Sequence, residues 1–259
     1  MTLKGSIYLI GGFDAAGRDL ADVLVGDGVS WRAGPSLPLA LDHPAAAVAA
    51  DSILVAGGFH NGAASSRTFW LRADGWHEGP PLAYPRGALA LISTSDSVIL
   101  AVGGRSGATE VATVEQLDVA ANRWRSVGAL PEPRDHLAGF HVSSRACVAG
   151  GRTPSTSARV DCFDPNTAAW SRLPDLPVAT SGAGAGVLGT EVVVAGGEDA
   201  SERALVTSVY RLRDSAWIPE TMLTPRHGFQ LAAVAGRLWA CGGGIAPGVH
   251  ATAVCTSIG

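Results

Sequence analysis

The sequence predicts an all-β fold built from six copies of one four-stranded unit, and three observations carry that reading. A pair of glycines closes an apolar run six times, at Gly11-Gly12, Gly57-Gly58, Gly103-Gly104, Gly150-Gly151, Gly196-Gly197 and Gly242-Gly243. The steps between the first glycines are 46, 46, 47, 46 and 46 residues. A tryptophan follows five of the pairs at 18 to 20 residues, as Trp31, Trp76, Trp124, Trp170 and Trp217. Repetition at this period fixes the architecture before single residues are read.

Each unit opens with a strand of small apolar residues, as over Gly228 to Ala235. A short turn leads to a second strand ending at the double glycine, where backbones crowd and unusual dihedrals are needed. A variable loop precedes the third strand, for example Val160 to Asp164. The fourth strand carries the tryptophan, whose large apolar area joins one unit to the next. A proline-bearing loop closes the unit at Leu37-Pro38, Pro80-Pro81, Leu130-Pro131, Leu176-Pro177 and Leu223-Thr224-Pro225. Short apolar strands punctuated by Gly, Pro, Asn and Asp argue for β structure, and no stretch sustains helical periodicity. Four antiparallel strands per repeat of this length make the blade of a β-propeller.

The double glycine, the spaced tryptophan and the Leu-Pro then Pro-Arg loop resemble the Kelch repeat, in phase over essentially the whole chain. The resemblance implies a six-bladed Kelch-type β-propeller that occupies residues 1–259 as one domain and receives ligands on loops around a central channel. Six full units would need about 17 residues more than the 259 present. The expectation is a seam of incomplete blades, joining two three-stranded sheets, or else a chain that is a piece of a longer product. A three-stranded seam would leave an edge to which another chain could add a strand; oligomeric state is open.

Bulk properties narrow the function. Hydrophobic content of 47% with 16% charged residues describes a well-buried globule. A net charge of -4 gives no argument for nucleic acid or an anionic membrane. Lys4 is the only lysine beside 18 arginines, a bias that points to codon usage rather than function. Met1 to Ser6 does not read as a secretion signal, and no window reaches the roughly 20 apolar residues of a membrane span. The expected location is cytoplasmic, with Cys147, Cys162, Cys241 and Cys255 as buried reduced thiols. Cys147 and Cys162, like Cys241 and Cys255, fall on neighbouring strands of one repeat, so two cross-strand disulfides are the alternative.

Strand direction selects the functional face. The start of the first strand and the end of the second lie at the same end of an antiparallel blade. Loops entering the one and leaving the other therefore share a rim of the channel. Arg86, Arg134 and Arg226 reach it from the entering loops, and Arg105 and Arg152 from the leaving loops. These arginines, with His43, His60 and Asp14, are the candidates for ligand binding. Arginine presents a rigid charged fork suited to carboxylate or phosphate. In Kelch-like repeats the arginine after the loop proline also ties neighbouring loops together, so Arg86, Arg134 and Arg226 fit either role. Arg105 and Arg152 directly follow a double glycine and are the better candidates.

No phosphate loop, dinucleotide fingerprint or zinc motif occurs, and neither a cofactor nor a metal is expected. Phe13, Phe59, Ile245 and Pro247 add apolar character to the rim. The resemblance then implies a binding module that takes an acidic peptide, protein or other anionic partner. The alternative is an enzyme on a small anion, of the isomerase, mutarotase, lyase or cyclase kind; some bacterial Kelch-like proteins are sugar-acid mutarotases. In that case Arg105, Arg152 and Arg134 would hold the anion, and His136, His227 or Glu198 would move protons. A deep closed pocket would favour the small molecule and a broad rim the peptide.

Overall fold

A computed structural model describes residues 1–222 and 224–258. It is a ring of six antiparallel sheets. Blade I holds Thr2–Leu3, Ser6–Ile10, Val23–Gly26 and Trp31–Ala33, and blade II holds Ala45–Ala49, Ser52–Ala56, Thr68–Arg72 and Gly75–Glu78. Blade III comprises Ala90–Ser95, Val98–Val102, Thr113–Asp118 and Arg123–Ala129. Blade IV comprises Ala138–Val142, Arg145–Ala149, Val160–Asp164 and Ala169–Arg172. Gly184–Leu188, Glu191–Ala195, Ser208–Arg213 and Ala216–Thr221 make blade V, and Leu231–Val234, Arg237–Cys241 and Cys255–Ile258 make blade VI. Leu223, in the last of the proline-bearing loops, lies outside the described residues, as does Gly259.

The seam differs from the expectation of two three-stranded sheets. Blade VI has three strands, but blade I keeps four, because Thr2 and Leu3 pair with Ile7 and Ser6 as a two-residue inner strand. Leu231–Val234 packs on this stub and on Ser6–Ile10, and the Trp239 indole lies over Gly28.

The core is a set of layers between blades. Leu100, Val102 and Val114 of blade III meet Ala146, Val148 and Phe163 of blade IV, and equivalent clusters join I to II, II to III, IV to V and V to VI. A fully buried Phe such as Phe163 contributes about 2–3 kcal/mol. The outer-strand tryptophans also reach across: Trp76, Trp124 and Trp217 donate to the carbonyls of Pro35, Pro80 and Pro174 in the preceding blade, at 2.8, 3.0 and 2.8 Å.

The double glycine is a joint between blades. Its second N–H donates to a carbonyl in the loop entering the next blade: Gly12 to Leu41, Gly58 to Arg86, Gly104 to Arg134, Gly151 to Thr180 and Gly197 to Arg226. Gly103, at φ 65°, shows why no side chain is tolerated there, since a Cβ would run into Leu137 and the Arg134 carbonyl.

The loop residue that accepts this bond also grips its own blade. Arg86 Nη1 donates to the Gly103 carbonyl at 3.1 Å, Arg134 Nε to Gly150 at 2.9 Å, Thr180 Oγ1 to Gly196 at 2.8 Å and Arg226 Nη1 to Gly242 at 2.9 Å. Arg86 is further paired with Glu115, and Arg134 with Asp161. All three arginines are completely buried.

Both cysteine pairs are joined, Cys147 to Cys162 and Cys241 to Cys255, with Cα–Cα distances of 4.0 and 4.2 Å. The expectation of reduced thiols is overturned by the register, which sets each pair directly opposite on adjacent strands.

Replacing Arg134 by Ala leaves the buried Gly150 carbonyl without its donor and leaves Asp161 to Arg159 alone. The expected loss is about 1–3 kcal/mol, read as a lower midpoint in urea denaturation.

Candidate functional site

The candidate site is the channel mouth, and the inner-strand entries build it. His43, Ala88, His136, Gly182 and Gly228 occupy one repeat position, all in the left-handed region at φ 44°, 54°, 52°, 64° and 64°. Each N–H donates to the carbonyl of the previous member: Ala88 to His43, His136 to Ala88, Gly182 to His136 and Gly228 to Gly182. The result is a collar of peptide groups around the axis. For residues other than glycine this backbone costs about 1–2 kcal/mol each, so His43 and His136 are held in it against their own preference.

The preceding residue of each entry bridges to the first residue after the double glycine. The pairs are Asp42 with Phe59, Gly87 with Arg105, Asp135 with Arg152, Ser181 with Glu198 and His227 with Gly244. This pairing brings side chains distant in sequence to one place. His43 lies 5.0 Å from His136 between ring centroids, 5.6 Å from Phe13 and 5.9 Å from Phe59. Arg105 stands 5.7 Å above the Phe59 ring.

Acids accompany the two arginines. Asp135 lies 3.3 Å from Arg152 Nε, 3.6 Å from Arg105 Nε and 3.0 Å from His136 Nδ1. Arg152 is also paired with Glu202, and its Nη2 is 3.5 Å from His136 Nε2. Burial opposes ionisation of Asp135, but the close approach of the His136 imidazole and the Arg152 and Arg105 charges outweigh it and hold the carboxyl below its ordinary range. For His136 burial dominates and, helped by the His43 and Arg152 charges, pushes the imidazole below its ordinary value despite Asp135.

The other sequence candidates separate. Arg86, Arg134 and Arg226 leave the ligand set, because their guanidinium groups are turned into the blades. Asp14 is occupied within its own loop, accepting from the Ala16 and Arg18 amides and from the Arg18 side chain. His60 is engaged elsewhere, with Nδ1 2.9 Å from the Ala40 carbonyl and 3.9 Å from Asp19. His227 Nε2 sits 3.1 Å from the carbonyls of both Ala246 and Gly248, and Glu198 accepts from the Gly248 N–H at 3.0 Å. His227 and Glu198 thus tether the glycine-rich loop of blade VI. Among the described residues no cluster of three His, Cys, Asp or Glu forms a metal site.

Asp135 and Glu202 complete the arginine network and were not singled out as site residues from the sequence. Glu202 is 50 residues from Arg152, and the one signal for it was its place in the loop after the next double glycine.

A Kelch motif model matches residues 86–131, which run from the Arg86 staple through blade III to the next loop proline. That repeat is a Kelch motif, and the chain as a whole is similar to Kelch-repeat proteins. It is 24% identical over 253 residues to Kelch-like protein terF of Aspergillus terreus, covering 87% of this chain and 54% of that protein. It is 28% identical to mouse Kelch-like protein 35, over 66% of this chain and 30% of the relative. With human Kelch repeat and BTB domain-containing protein 13 it shares 31% identity, over 58% and 32% of the two chains. The Kelch propeller therefore spans between a third and about half of these relatives' length. Among the described residues no helix is long and apolar enough to cross a membrane.

The depressed His136 pKa has a defined sign. The imidazole stays neutral in the fold and takes up a proton near pH 6.5 once the chain unfolds. Stability is therefore retained above about pH 6.5 and falls as the pH drops below it, with Asp135 adding its own loss only below about pH 4. In denaturant titrations between about pH 7.5 and 5, His136→Asn, which keeps a residue tolerant of left-handed backbone, flattens this dependence.

Proposed function

We propose that this Kelch propeller is a protein-recognition module that takes a segment of its partner across the mouth, with an acidic residue of that segment on Arg105. The observation that carries the reading is where apolar side chains stand exposed. Of the eight large ones among the described residues, five lie on loops of the mouth face: Tyr84, Val178, Ile245, Val249 and Val254. Apolar groups exposed on one face support a contact surface there.

The acidic contact rests on Arg105 rather than on a ring of arginines. Arg152 is closed off by Asp135 and Glu202, whereas the Arg105 side chain is 44% exposed and lies 3.6 Å from the Asp135 carboxylate. Its guanidinium, backed by Phe59, keeps donors for a partner carboxylate. Such a fork over an aromatic face is a common interface anchor.

Random peptides displayed on phage and selected on the immobilised propeller test this. The enriched sequences should carry Asp or Glu beside an apolar residue. They should bind Arg105→Ala about tenfold more weakly, corresponding to roughly 1.4 kcal/mol, while the variant's thermal midpoint is unchanged. Peptides without acidic residues, or equal binding to both proteins, would exclude Arg105 as the contact.

A further inference from the structure

The face opposite the mouth carries a feature that the repeat does not require. In the other five blades the inner hairpin runs in unbroken register into its turn. In blade III, Ser93 pairs with Ile99 and Ser95 with Val98, which leaves Thr94 as an extra, bulged residue. A bulge unpairs one residue and re-aims its side chain. Thr94 lines an open groove of about 460 Å³ between blades III and IV, together with Ser95, Gln116, Arg125, Ser144 and Asn166.

Gln116 is the second departure. It is only 7% exposed, and its Oε1 has no hydrogen-bond partner among the described residues. Opposite the residue three before the double glycine, blades II and IV place Trp70 and Cys162 where blade III has Gln116. An amide there forfeits apolar contact and leaves a buried acceptor unpaired, which destabilises the fold. Rotation of the amide about its last torsion offers either its donor or its acceptor to the groove. Arg125 lies directly opposite Gln116 on the neighbouring strand, is exposed, and makes no ion pair among the described residues. The two side chains therefore share one face of the sheet.

The lining supplies one cation, two amides and three hydroxyls, with no carboxylate. That set suits one oxyanion accompanied by hydroxyl groups. We propose that this groove binds a small hydroxylated anion, a phosphate or carboxylate on a short polyol, with Arg125 on the oxyanion and Gln116 on a hydroxyl.

Amide-resolved NMR titration of the intact protein tests it with glycerol 3-phosphate, D-glycerate, inorganic phosphate and glycerol as probes. Glycerol 3-phosphate or D-glycerate should give saturable shifts at millimolar concentration in Thr94 to Val98, the Gln116 side-chain amide and Asn166. Which of the two saturates first identifies the oxyanion. Arg125→Ala should weaken this binding about tenfold or more. Gln116→Leu, of similar volume, should raise the Tm and abolish the saturable shifts. Absence of shifts from both hydroxylated anions, or shifts that survive both variants, would overturn the site. Inorganic phosphate binding as tightly as glycerol 3-phosphate, or glycerol binding as tightly as either anion, would overturn the ligand class.

Discussion

The ring depends on one joint, repeated with variations: a residue in the entering loop whose carbonyl takes the N–H of one blade's double glycine while its side chain grips the double glycine of the next. Arg134 is the fullest case, bonded through its carbonyl to Gly104 and through its side chain to Gly150 and Asp161. Each element of the joint explains another. The glycines are required because a Cβ would occupy the place of the accepting carbonyl. The arginine tolerates complete burial because carbonyls and a carboxylate use its donors. Thr180 performs the same task with one hydroxyl, which shows that the position demands a donor rather than a charge.

The mouth follows from this joint. One or two residues past each staple, the chain enters the collar around the axis, and that backbone decides which side chains meet. His43 and His136 occupy positions where blades V and VI have glycine, and each adjoins the aspartate before it. Strain of this kind persists where the surroundings over-determine it. The mouth is also nearly self-neutralised, since Asp135 and Glu202 stand against Arg105 and Arg152. Its charge is thus close to balanced at these four side chains, and it is not a strongly positive funnel.

The fold was legible because it is written in spacing. Glycine pairs at a nearly constant step and tryptophans at a constant offset report backbone crowding and interblade packing, which recur in every unit. The mouth was legible in part. Strand direction placed Arg105, Arg152, His43 and His136 on one face, and the dual role of Arg86, Arg134 and Arg226 was visible without being resolvable. Burial decided it, and burial depends on where the third strand puts Glu115 and Asp161. The pairing of Glu202 with Arg152 and the contact of Phe13 with His43 were hidden for a different reason. These contacts cross blades, and no periodicity within one repeat encodes a meeting between side chains of two. The cysteines were misread because context favoured thiols, although pairing register was the deciding quantity.

The collar of peptide groups has a mechanical meaning for the channel. Its four bonds run circumferentially from blade II to blade VI, each blade holding the next by a single N–H to carbonyl link, so these five sheets share a hub as well as a rim. A load applied to one loop at the mouth is passed sideways around that hub before it can part any interblade layer. The weakest sector is where Trp239 and the two-residue strand of blade I meet, because there, among the described residues, neither a collar link nor a double-glycine joint connects the two blades. In blade VI the Cys241–Cys255 bond fastens the last strand to its neighbour, so that this edge cannot peel away while the bond is intact. The propeller thus behaves as a wheel with one soft spoke, and opening it would begin at that sector.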